Sequence, residues 1–418
     1  MHSHAGGDRH HDGFQQVTAV EEARERLLAV IEPVERTEAV PLVAADGRVT
    51  ATELTAAVDV PAYDRAAMDG WAVQAADTYG ASARRPELLE VLAAEAATAP
   101  TTAVQTGGAV RVHTGIQLPA GADAIVMLEQ AEVVDGHLEV SSAVSPGTNV
   151  APTGEDIRAD QQLYTRGHRL RPSDLGLLRS VGREMVPAVA RPQVAVIPTG
   201  EEVVDADPGP GEVIETNGLT VSRLVERWGA SASYRDVVTD DPDILAATLR
   251  AELEHDLIVT TGGSSVGSRD LLPEVVDEMG TVTVHGVALK PGHPVAVGVI
   301  DATPVVMLPG YPVAAIINAM QFVRPAVAAL QGTVPVAPPT RRGVLTRKVV
   351  SEPGVRSFVR VRTAWSDAGE LHVEPVMVGG SGVLSSVALA DGWVVVEEPA
   401  EGIDAGEEVT VEFWEGLR

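Results

Sequence analysis

The chain has 418 residues, of which 45% are hydrophobic and 22% are charged; this composition predicts roughly two to four packed domains and excludes disorder as the main state. Cysteine is absent, which excludes disulfides, thiolate metal sites and cysteine nucleophiles. The 31 basic and 59 acidic residues give a formal net charge of -28, which disfavours binding to nucleic acids and to acidic membrane surfaces.

The apolar stretches are about as long as strands and far shorter than the ~20 residues that span a bilayer. Residues 1–14 lack the apolar core of a signal peptide, so we expect a cytoplasmic protein. Lys290 and Lys348 are the only lysines, and all other fixed positive charges are arginines. An acidic chain with little lysine is typical of a salt-rich cytoplasm, although a GC-rich genome gives a similar composition.

The N-terminal half begins with a histidine-rich and glycine-rich segment, residues 1–14, which we expect to be a disordered tail. Thr18 and Glu21 have the spacing of a capping box, which predicts an amphipathic helix directly after them. Over residues 58–150 short apolar runs alternate with Gly and Pro turns, and this pattern predicts a mainly β segment. Helical periodicity returns near residue 172.

From residue 192 onward, strand and helix patterns alternate. Asn217 and Asp241 are candidate N-caps of the helices. The apolar runs that predict buried strands are 194–197, 234–238, 257–261 and 305–308. This alternation predicts a parallel sheet covered by helices, with ligands outside the carboxyl ends of its strands. Beyond residue 338 only short strands are predicted, which favours a small β-barrel or sandwich.

Three loops that contain glycine leave the predicted strand ends of this region. They are residues 198–202, 260–267 and 308–310. In a parallel sheet these loops share one edge. Glycine lets backbone N–H groups approach an oxyanion, and Ser264 and Ser265 add hydroxyl donors. The second loop is therefore a candidate phosphate cradle, with a plain turn as the alternative.

Carboxylates also lie at or near these strand ends. They are Glu202, Asp240, Asp241 and Asp270. Carboxylates beside a phosphate cradle indicate Mg²⁺, although each acid alone is compatible with a helix cap or a solvated surface charge. Lys290 is a candidate functional cation, because a compact ammonium occurs where the chain otherwise uses arginine. His293, in the same loop, is either a donor to an anion or an exposed loop histidine.

Seven ordered motifs resemble those of the MoeA/gephyrin E-domain family of molybdenumtransferases. The longest covers residues 60–73, Val-Pro-Ala-Tyr-Asp-Arg-Ala-Ala-Met-Asp-Gly-Trp-Ala-Val. The others lie within residues 114–123, 154–157, 199–202, 262–270, 290–292 and 308–310. The resemblance extends from about Thr18 to the C-terminus, and seven motifs in order are much more specific than any one of them.

The resemblance implies an α/β multidomain fold that forms an L-shaped homodimer. Its parts would be a discontinuous helical linking domain at 15–57 and 152–188, a β-rich inserted domain at 58–151, a MogA-like α/β molybdopterin-binding domain with a parallel sheet at 189–335, and a C-terminal β-barrel domain at 336–418. Transient contact with other cofactor-biosynthesis proteins or molybdoenzymes is also expected.

The implied reaction takes adenylylated molybdopterin and molybdate, with Mg²⁺, and yields molybdenum cofactor and AMP. The pterin dithiolene supplies the sulfur ligands, which agrees with a chain that has no cysteine. The resemblance places catalytic roles on Asp69, Asp270 and Lys290, and metal-binding roles on Glu202, Asp240 and Asp270. The substrate-binding residues that it carries over are Thr114, Arg360 and Ser381. The loops and motifs described above add Gly115, Asp156, Thr199, Gly200, Gly262, Gly263, Ser264, Ser265 and His293 as substrate-binding candidates. Because Asp69 and the phosphate loop lie in different predicted domains, we expect an active site that spans the dimer interface.

The chain departs from the family pattern at four positions. Ala66 replaces a serine, Glu215 replaces an aspartate, His293 replaces the second lysine of Lys-Pro-Gly-Lys-Pro, and Tyr311 replaces the asparagine of Leu-Pro-Gly-Asn-Pro. The histidine removes a permanent positive charge, which leaves open the choice between molybdate and tungstate.

Three alternative functions compete with this interpretation: a MogA-like molybdopterin adenylyltransferase, a tungstate-inserting relative, and a non-catalytic pterin-binding scaffold. An adenylyltransferase would have no need of Asp69 or of the N-terminal half. A scaffold would be expected to lose its carboxylates, whereas Asp69, Asp240 and Asp270 are all present.

Overall fold

The computed structural model describes residues 17–94, 102–263, 271–376 and 382–414. The chain divides into two compact units. One comprises the residues up to Thr37 together with those from Val189 onward, and the other is Glu38–Ala188. The finer division into four domains remains a prediction.

The Glu38–Ala188 unit is built around a six-stranded sheet. In spatial order its strands are Ala124–Met127, Gly70–Val73, Gly108–Val112, Glu87–Ala93, His137–Val140 and Ala131–Val134. Neighbours are antiparallel except for the central pair, which is parallel. Trp71, Val126 and Leu138 belong to its buried core. The mainly β segment predicted over residues 58–150 is therefore present.

Short strand pairs and one helix complete this unit. The pairs are Leu54–Thr55 with Gln162–Tyr164, Arg65–Ala66 with Val150–Ala151, and Thr37–Pro41 with Met185–Val189. Single 3₁₀ turns occur at Leu42–Ala44, Ala75–Thr78 and Leu128–Gln130.

The helix Pro172–Ser180 begins at a buried carboxylate. Asp174, 3% exposed, accepts hydrogen bonds from His168 Nε2 at 2.8 Å and from the backbone N–H of Arg171 at 2.9 Å. Burial favours a higher pKa for Asp174, but hydrogen bonds from Arg171 and His168 outweigh it and hold the pKa well below its usual range.

The other unit contains a six-stranded mixed sheet. In spatial order its strands are Ser231–Tyr234, Gln193–Pro198, Leu257–Thr261, Thr303–Leu308, Ala296–Ile300 and Thr281–His285. The first four are parallel, as predicted, although the edge strand lies at Ser231–Tyr234 and not at 234–238. The last two strands are antiparallel additions that we did not predict. Every residue of Leu257–Thr261 is buried, and since successive side chains point to opposite faces, both faces are covered.

This unit also contains helices, most of which pack against the sheet. They are Val20–Leu28, Asn217–Arg227, Pro242–Ala251, Leu271–Met279, Pro312–Asn318, a π-helical turn at Ala319–Val323, Arg324–Leu330, and the short Ser385–Ala388. Asp241 is the N-cap of Pro242–Ala251, as predicted, and its side chain accepts from the backbone of Asp243 and Ile244. The predicted capping box at Thr18 and Glu21 is wrong: Ala19 is the N-cap, with no side-chain cap hydrogen bond.

The π-helical turn is where the first helix of the chain is held. Pro325 has no N–H with which to donate to the Gln321 carbonyl four residues earlier. Arg24 donates to that carbonyl at 3.2 Å and to the Gln321 side-chain oxygen at 2.8 Å, across 297 positions of sequence. Among the described residues, Pro312–Leu330 is long and apolar enough to cross a membrane, so the expectation that apolar stretches are only about as long as strands is wrong here. Its most apolar window is 78% buried inside the protein, as in a core helix.

The C-terminal region contains a closed five-stranded barrel, which confirms the predicted barrel. Around the ring the strands are Arg356–Trp365, Leu371–Pro375, Thr340–Leu345, Glu408–Phe413 and Gly392–Val396, and the last pairs again with the first. Leu289–Lys290 adds to this sheet in parallel, with Lys290 opposite Ser357. Two small pairs complete the structure, Val203–Val204 with Val213–Ile214 and Val349–Val350 with Gly402–Ile403. The α/β multidomain class is confirmed.

Candidate functional site

The carboxyl ends of three parallel strands bring the glycine loops together, as predicted. The backbone N–H of Thr199 donates to the carbonyl of Thr261 at 2.9 Å, and that of Gly262 donates to the carbonyl of Leu308 at 3.0 Å. These bonds continue the sheet ladder one residue beyond each strand. They hold the starts of the three loops in one row.

The glycine pair allows a close backbone approach at this edge. Gly262 has φ +107°, and a Cβ there would lie 2.2 Å from the Thr199 carbonyl oxygen. At Gly263, with φ +67°, a Cβ would lie 2.9 Å from Thr199 Oγ1 and 3.7 Å from Asp240 Oδ1. Both positions need glycine, and Gly263 lies close to both Thr199 and Asp240.

Asp240 occupies an electrostatically unfavourable position beside the glycine pair. Its Oδ1 atom is buried and accepts no hydrogen bond from the residues described. Burial, together with the nearby charges of Glu202 and Glu201, raises the pKa of Asp240, while the backbone N–H of Glu201 partly counteracts this. A buried carboxylate oxygen without a donor, beside further acids, is suited to contact a cation.

The predicted metal set is only partly described. Glu202 is exposed, and within the four described ranges no group of three or more His, Asp or Glu residues could hold a metal ion. Asp270, Ser264 and Ser265 lie outside the described residues. Glu202 and Asp240 therefore do not complete a metal site by themselves, and the metal role of the three acids remains a prediction.

The helix that follows the first loop is capped by Glu215, a residue that the sequence analysis noted only as a departure. Glu215 is 8% exposed and accepts from the backbone N–H groups of Gly218 at 2.6 Å and Leu219 at 3.2 Å. The Tyr234 hydroxyl also donates to it, and burial together with this carboxylate raises the pKa of Tyr234. These N–H groups are therefore occupied by the protein's own carboxylate rather than free for a phosphate.

Asn217 has a different role from the predicted N-cap. Thr216 holds the cap position, and Asn217 is the first helical residue. Its side-chain nitrogen donates to the carbonyl of Gly310 at 2.7 Å. The helix thus fixes the third glycine loop, and no local sequence signal could have shown this contact between residues 93 positions apart.

The predicted cationic residues lie where the α/β region meets the barrel. Lys290 is exposed and pairs with the barrel strand that also carries Arg360. Burial lowers the pKa of Arg360, and its carbonyl accepts from the backbone of Val376 at 2.9 Å. His293 is half-buried. Ser381 lies outside the described residues.

The Glu38–Ala188 unit brings together two of the predicted residues. Asp69 Oδ1 accepts from the backbone N–H of Thr114 at 2.8 Å and from its hydroxyl at 2.7 Å. These two hydrogen bonds are the main reason that the pKa of Asp69 lies below its usual range, and His113 Nδ1 lies 3.6 Å from Oδ2. Gly115 has φ +87° with open space around it, and Asp156 is exposed.

Family sequence models match three successive regions. Residues 18–182 match the MoeA N-terminal region (domain I and II), residues 195–329 match a probable molybdopterin binding domain, and residues 342–414 match the MoeA C-terminal region (domain IV).

Similar proteins cover nearly the whole chain. A putative molybdopterin biosynthesis protein of Methanocaldococcus jannaschii is 34% identical over 399 residues, which cover 93% of this chain and 94% of that protein. A molybdopterin molybdenumtransferase of Haemophilus influenzae is 30% identical, with 94% and 98% covered.

Solved structures agree with these matches. Two crystal structures of a molybdopterin biosynthesis MoeA protein from Pyrococcus horikoshii have TM-scores of 0.82 and 0.81 at 33% and 31% identity. Each match covers 96% of this chain and 100% of the other. The ordered motifs, the closed barrel, the sheet-edge loops and these matches together show that the chain belongs to the MoeA family.

Proposed function

We propose that the chain is a molybdopterin molybdenumtransferase, which inserts molybdate into adenylylated molybdopterin and releases AMP as molybdenum cofactor forms. The observation that carries this proposal is the meeting of Gly263, Thr199 and Asp240 at the carboxyl edge of the sheet. It gains support from the Haemophilus influenzae molybdenumtransferase, since the chain spans 98% of that enzyme's length.

The glycine pair is the proposed start of the phosphate site. Asp240 Oδ1 and Thr199 Oγ1 are both buried without a hydrogen-bond partner among the described residues, and both lie within 4 Å of the point that a Cβ at Gly263 would occupy. A loop that leaves this point without a Cβ can bring backbone N–H groups against phosphate oxygens. Ser264 and Ser265, which follow directly, would add hydroxyl donors there.

Magnesium fits this edge. A divalent cation would pair with the Asp240 oxygen that has no donor among the described residues, and it would neutralise the nearby charge of Glu202. We propose that Asp240, Glu202 and Asp270 hold it. When bound, Mg²⁺ would neutralise charge on the substrate phosphates.

Local cations would attract the anionic substrates despite the net charge of -28. We propose that Lys290 and Arg360 supply permanent charge for the oxyanion, with His293 contributing when protonated. Salt screens the surrounding acids, so the proposed halophilic character predicts that activity rises with KCl. Replacing His293 by lysine tests whether the choice between molybdate and tungstate depends on this position.

Asp69 is proposed to act as an ionised carboxylate. The two hydrogen bonds from Thr114 stabilise its charged form and fix one oxygen, which leaves Oδ2 facing His113. Gly115 and Asp156 are proposed substrate contacts in the same unit.

The remaining proposals concern assembly and location. We propose a cytoplasmic homodimer that contacts other cofactor-biosynthesis proteins or molybdoenzymes transiently, with no nucleic acid or membrane partner. Light scattering tests the dimer, which should show twice the chain mass of 43.7 kDa.

The test of function is AMP release from adenylylated molybdopterin, measured with and without molybdate and across a Mg²⁺ titration. The parent should release AMP in a molybdate-dependent manner, and Asp240→Asn should lower the rate. The matched control is Asp241→Asn, because Asn also caps helices and, among the described residues, the Asp241 side chain accepts hydrogen bonds only from the start of its own helix. AMP release that does not depend on molybdate would contradict the molybdenumtransferase function. Formation of adenylylated molybdopterin from ATP would favour the adenylyltransferase.

A further inference from the structure

Tyr311 is an exposed aromatic residue directly after the third glycine loop, at the N-cap of the helix Pro312–Asn318. Its side chain is 60% exposed, in a chain where aromatic residues make up 3% of the sequence. Tyr234 ends the first strand of the same sheet, but its hydroxyl is bound by Glu215. The Tyr311 hydroxyl makes no hydrogen bond to any residue that the structure describes.

The backbone around Tyr311 is held on both sides. The carbonyl of Gly310 accepts from the Asn217 side chain at 2.7 Å, and the carbonyl of Tyr311 accepts from the backbone of Ala315 at 2.9 Å. A Cβ at Gly310 would lie 3.4 Å from the Gly262 Cα, so this loop lies directly against the glycine pair. The exposed ring is therefore attached to backbone that hydrogen bonds hold in place, beside the proposed phosphate site.

Gly382, from the C-terminal region, also lies close to the ring. A Cβ at Gly382 would lie 3.5 Å from Tyr311 Cδ1 and 3.8 Å from Cε1. Gly382 therefore lies close to the ring without placing a side chain against it, and Tyr311 stays 60% exposed. An exposed aromatic ring next to a phosphate site suits a flat heterocycle joined to a phosphate.

We propose that Tyr311 is a specificity-determining residue, against which a fused nitrogen heterocycle of the substrate stacks. This inference rests on the proposed function, whose substrate contains two such rings, the pterin and the adenine. Stacking between a nucleobase and an aromatic side chain is tolerant of the base and is lost on truncation to alanine. The free hydroxyl can in addition bond a ring nitrogen or an exocyclic group.

The test measures binding to the full-length protein by calorimetry for the parent, Tyr311→Phe, Tyr311→Ala and Tyr311→Asn. The ligands are AMP, molybdopterin and ribose 5-phosphate, which has the sugar phosphate without a base. Alanine and asparagine should weaken binding of AMP or molybdopterin by about 5- to 150-fold, and phenylalanine should retain it within about twofold. Ribose 5-phosphate should bind all four proteins alike, which also shows that the variants are folded.

The two ligands identify the ring. Weaker binding of AMP alone assigns the adenine to Tyr311, and weaker binding of molybdopterin alone assigns the pterin. Tyr79→Ala is the matched control, since Tyr79 is 58% exposed and belongs to the Glu38–Ala188 unit. In turnover, Tyr311→Ala should raise KM for adenylylated molybdopterin more than it lowers kcat.

Two results would overturn the inference: equal binding of both ring ligands by the parent and Tyr311→Ala, or a parent that binds neither ring. Failure of the proposed function looks different. Suppose that the parent binds AMP or molybdopterin through Tyr311 but shows no molybdate-dependent AMP release. The proposed molybdenumtransferase function would then be wrong, and the stacking role of Tyr311 would still hold.

Discussion

Replacing Gly262 by alanine should damage both the fold and the reaction, because the new Cβ has no room. It would lie 2.2 Å from the Thr199 carbonyl oxygen, and reaching even 3.0 Å requires a displacement of about 0.8 Å. The Gly262 N–H bonds to Leu308 and the Thr199 N–H bonds to Thr261, so neither strand end moves freely.

The expected magnitude has two parts. Holding an L-residue at φ +107° costs about 1–3 kcal/mol. Overpacking against a backbone that cannot withdraw adds about 1–3 kcal/mol. The free energy of unfolding should therefore fall by about 2–6 kcal/mol. Since a misplacement of about 1 Å can cost a hundredfold in rate, AMP release should fall by about that factor.

Gly211→Ala is the matched control. Gly211 belongs to the same unit and also has a positive φ, +92°, but nothing lies within 4 Å of the point that its Cβ would occupy. Urea denaturation and AMP release are measured for the parent and both variants. Gly211→Ala should show only the conformational cost of about 1–2 kcal/mol and near-normal activity. If Gly262→Ala matched Gly211→Ala in both measurements, the close approach to Thr199 would not be a structural requirement.

Three further substitutions test the electrostatics. Asp240→Asn should keep or raise the free energy of unfolding at pH 7, because the raised pKa of Asp240 means that the folded state favours its neutral form. Urea denaturation measures this free energy, and a lower value for the variant would contradict the expectation. Asp174→Asn should lose about 2 kcal/mol at neutral pH, and since the folded pKa is depressed, the difference from the parent should shrink as pH falls below about 4. Glu215→Ala should lower the free energy of unfolding by about 1–2 kcal/mol, because the helix loses its cap. It should also lower the pKa of Tyr234, measured by ultraviolet titration; an unchanged pKa would show that Glu215 does not contact Tyr234.

Local patterns predicted the parts of the fold that depend on nearby residues. The run at 257–261 is a buried strand because both of its faces are covered, and Asp241 followed by Pro242 starts a helix because the side chain caps it directly. Spacing alone was insufficient at Thr18 and Glu21, where the helix begins at Ala19 without a side-chain cap. A capping box needs a geometry that the sequence does not specify.

Long-range contacts were beyond local patterns. Asp69 and Thr114 lie in two separate family motifs, and the hydrogen bonds between them depend on the sheet that joins their strands. Glu215 was noted only as a departure from an aspartate. Its longer side chain accepts from two backbone N–H groups and from Tyr234, and the tyrosine is 19 positions away.

The contact between Arg24 and Gln321 also sets an order of events during synthesis. The Val20–Leu28 helix leaves the ribosome early, yet the partner at Gln321 belongs to a helical run that ends at Leu330. Glu38–Ala188 can be completed first, because its sheet uses only its own strands. At about 5–20 residues per second, the roughly 140 residues after it take about 7 to 30 s to appear. During this interval the apolar face of the Val20–Leu28 segment has no partner at Gln321, so it is accessible to a chaperone that binds nascent chains.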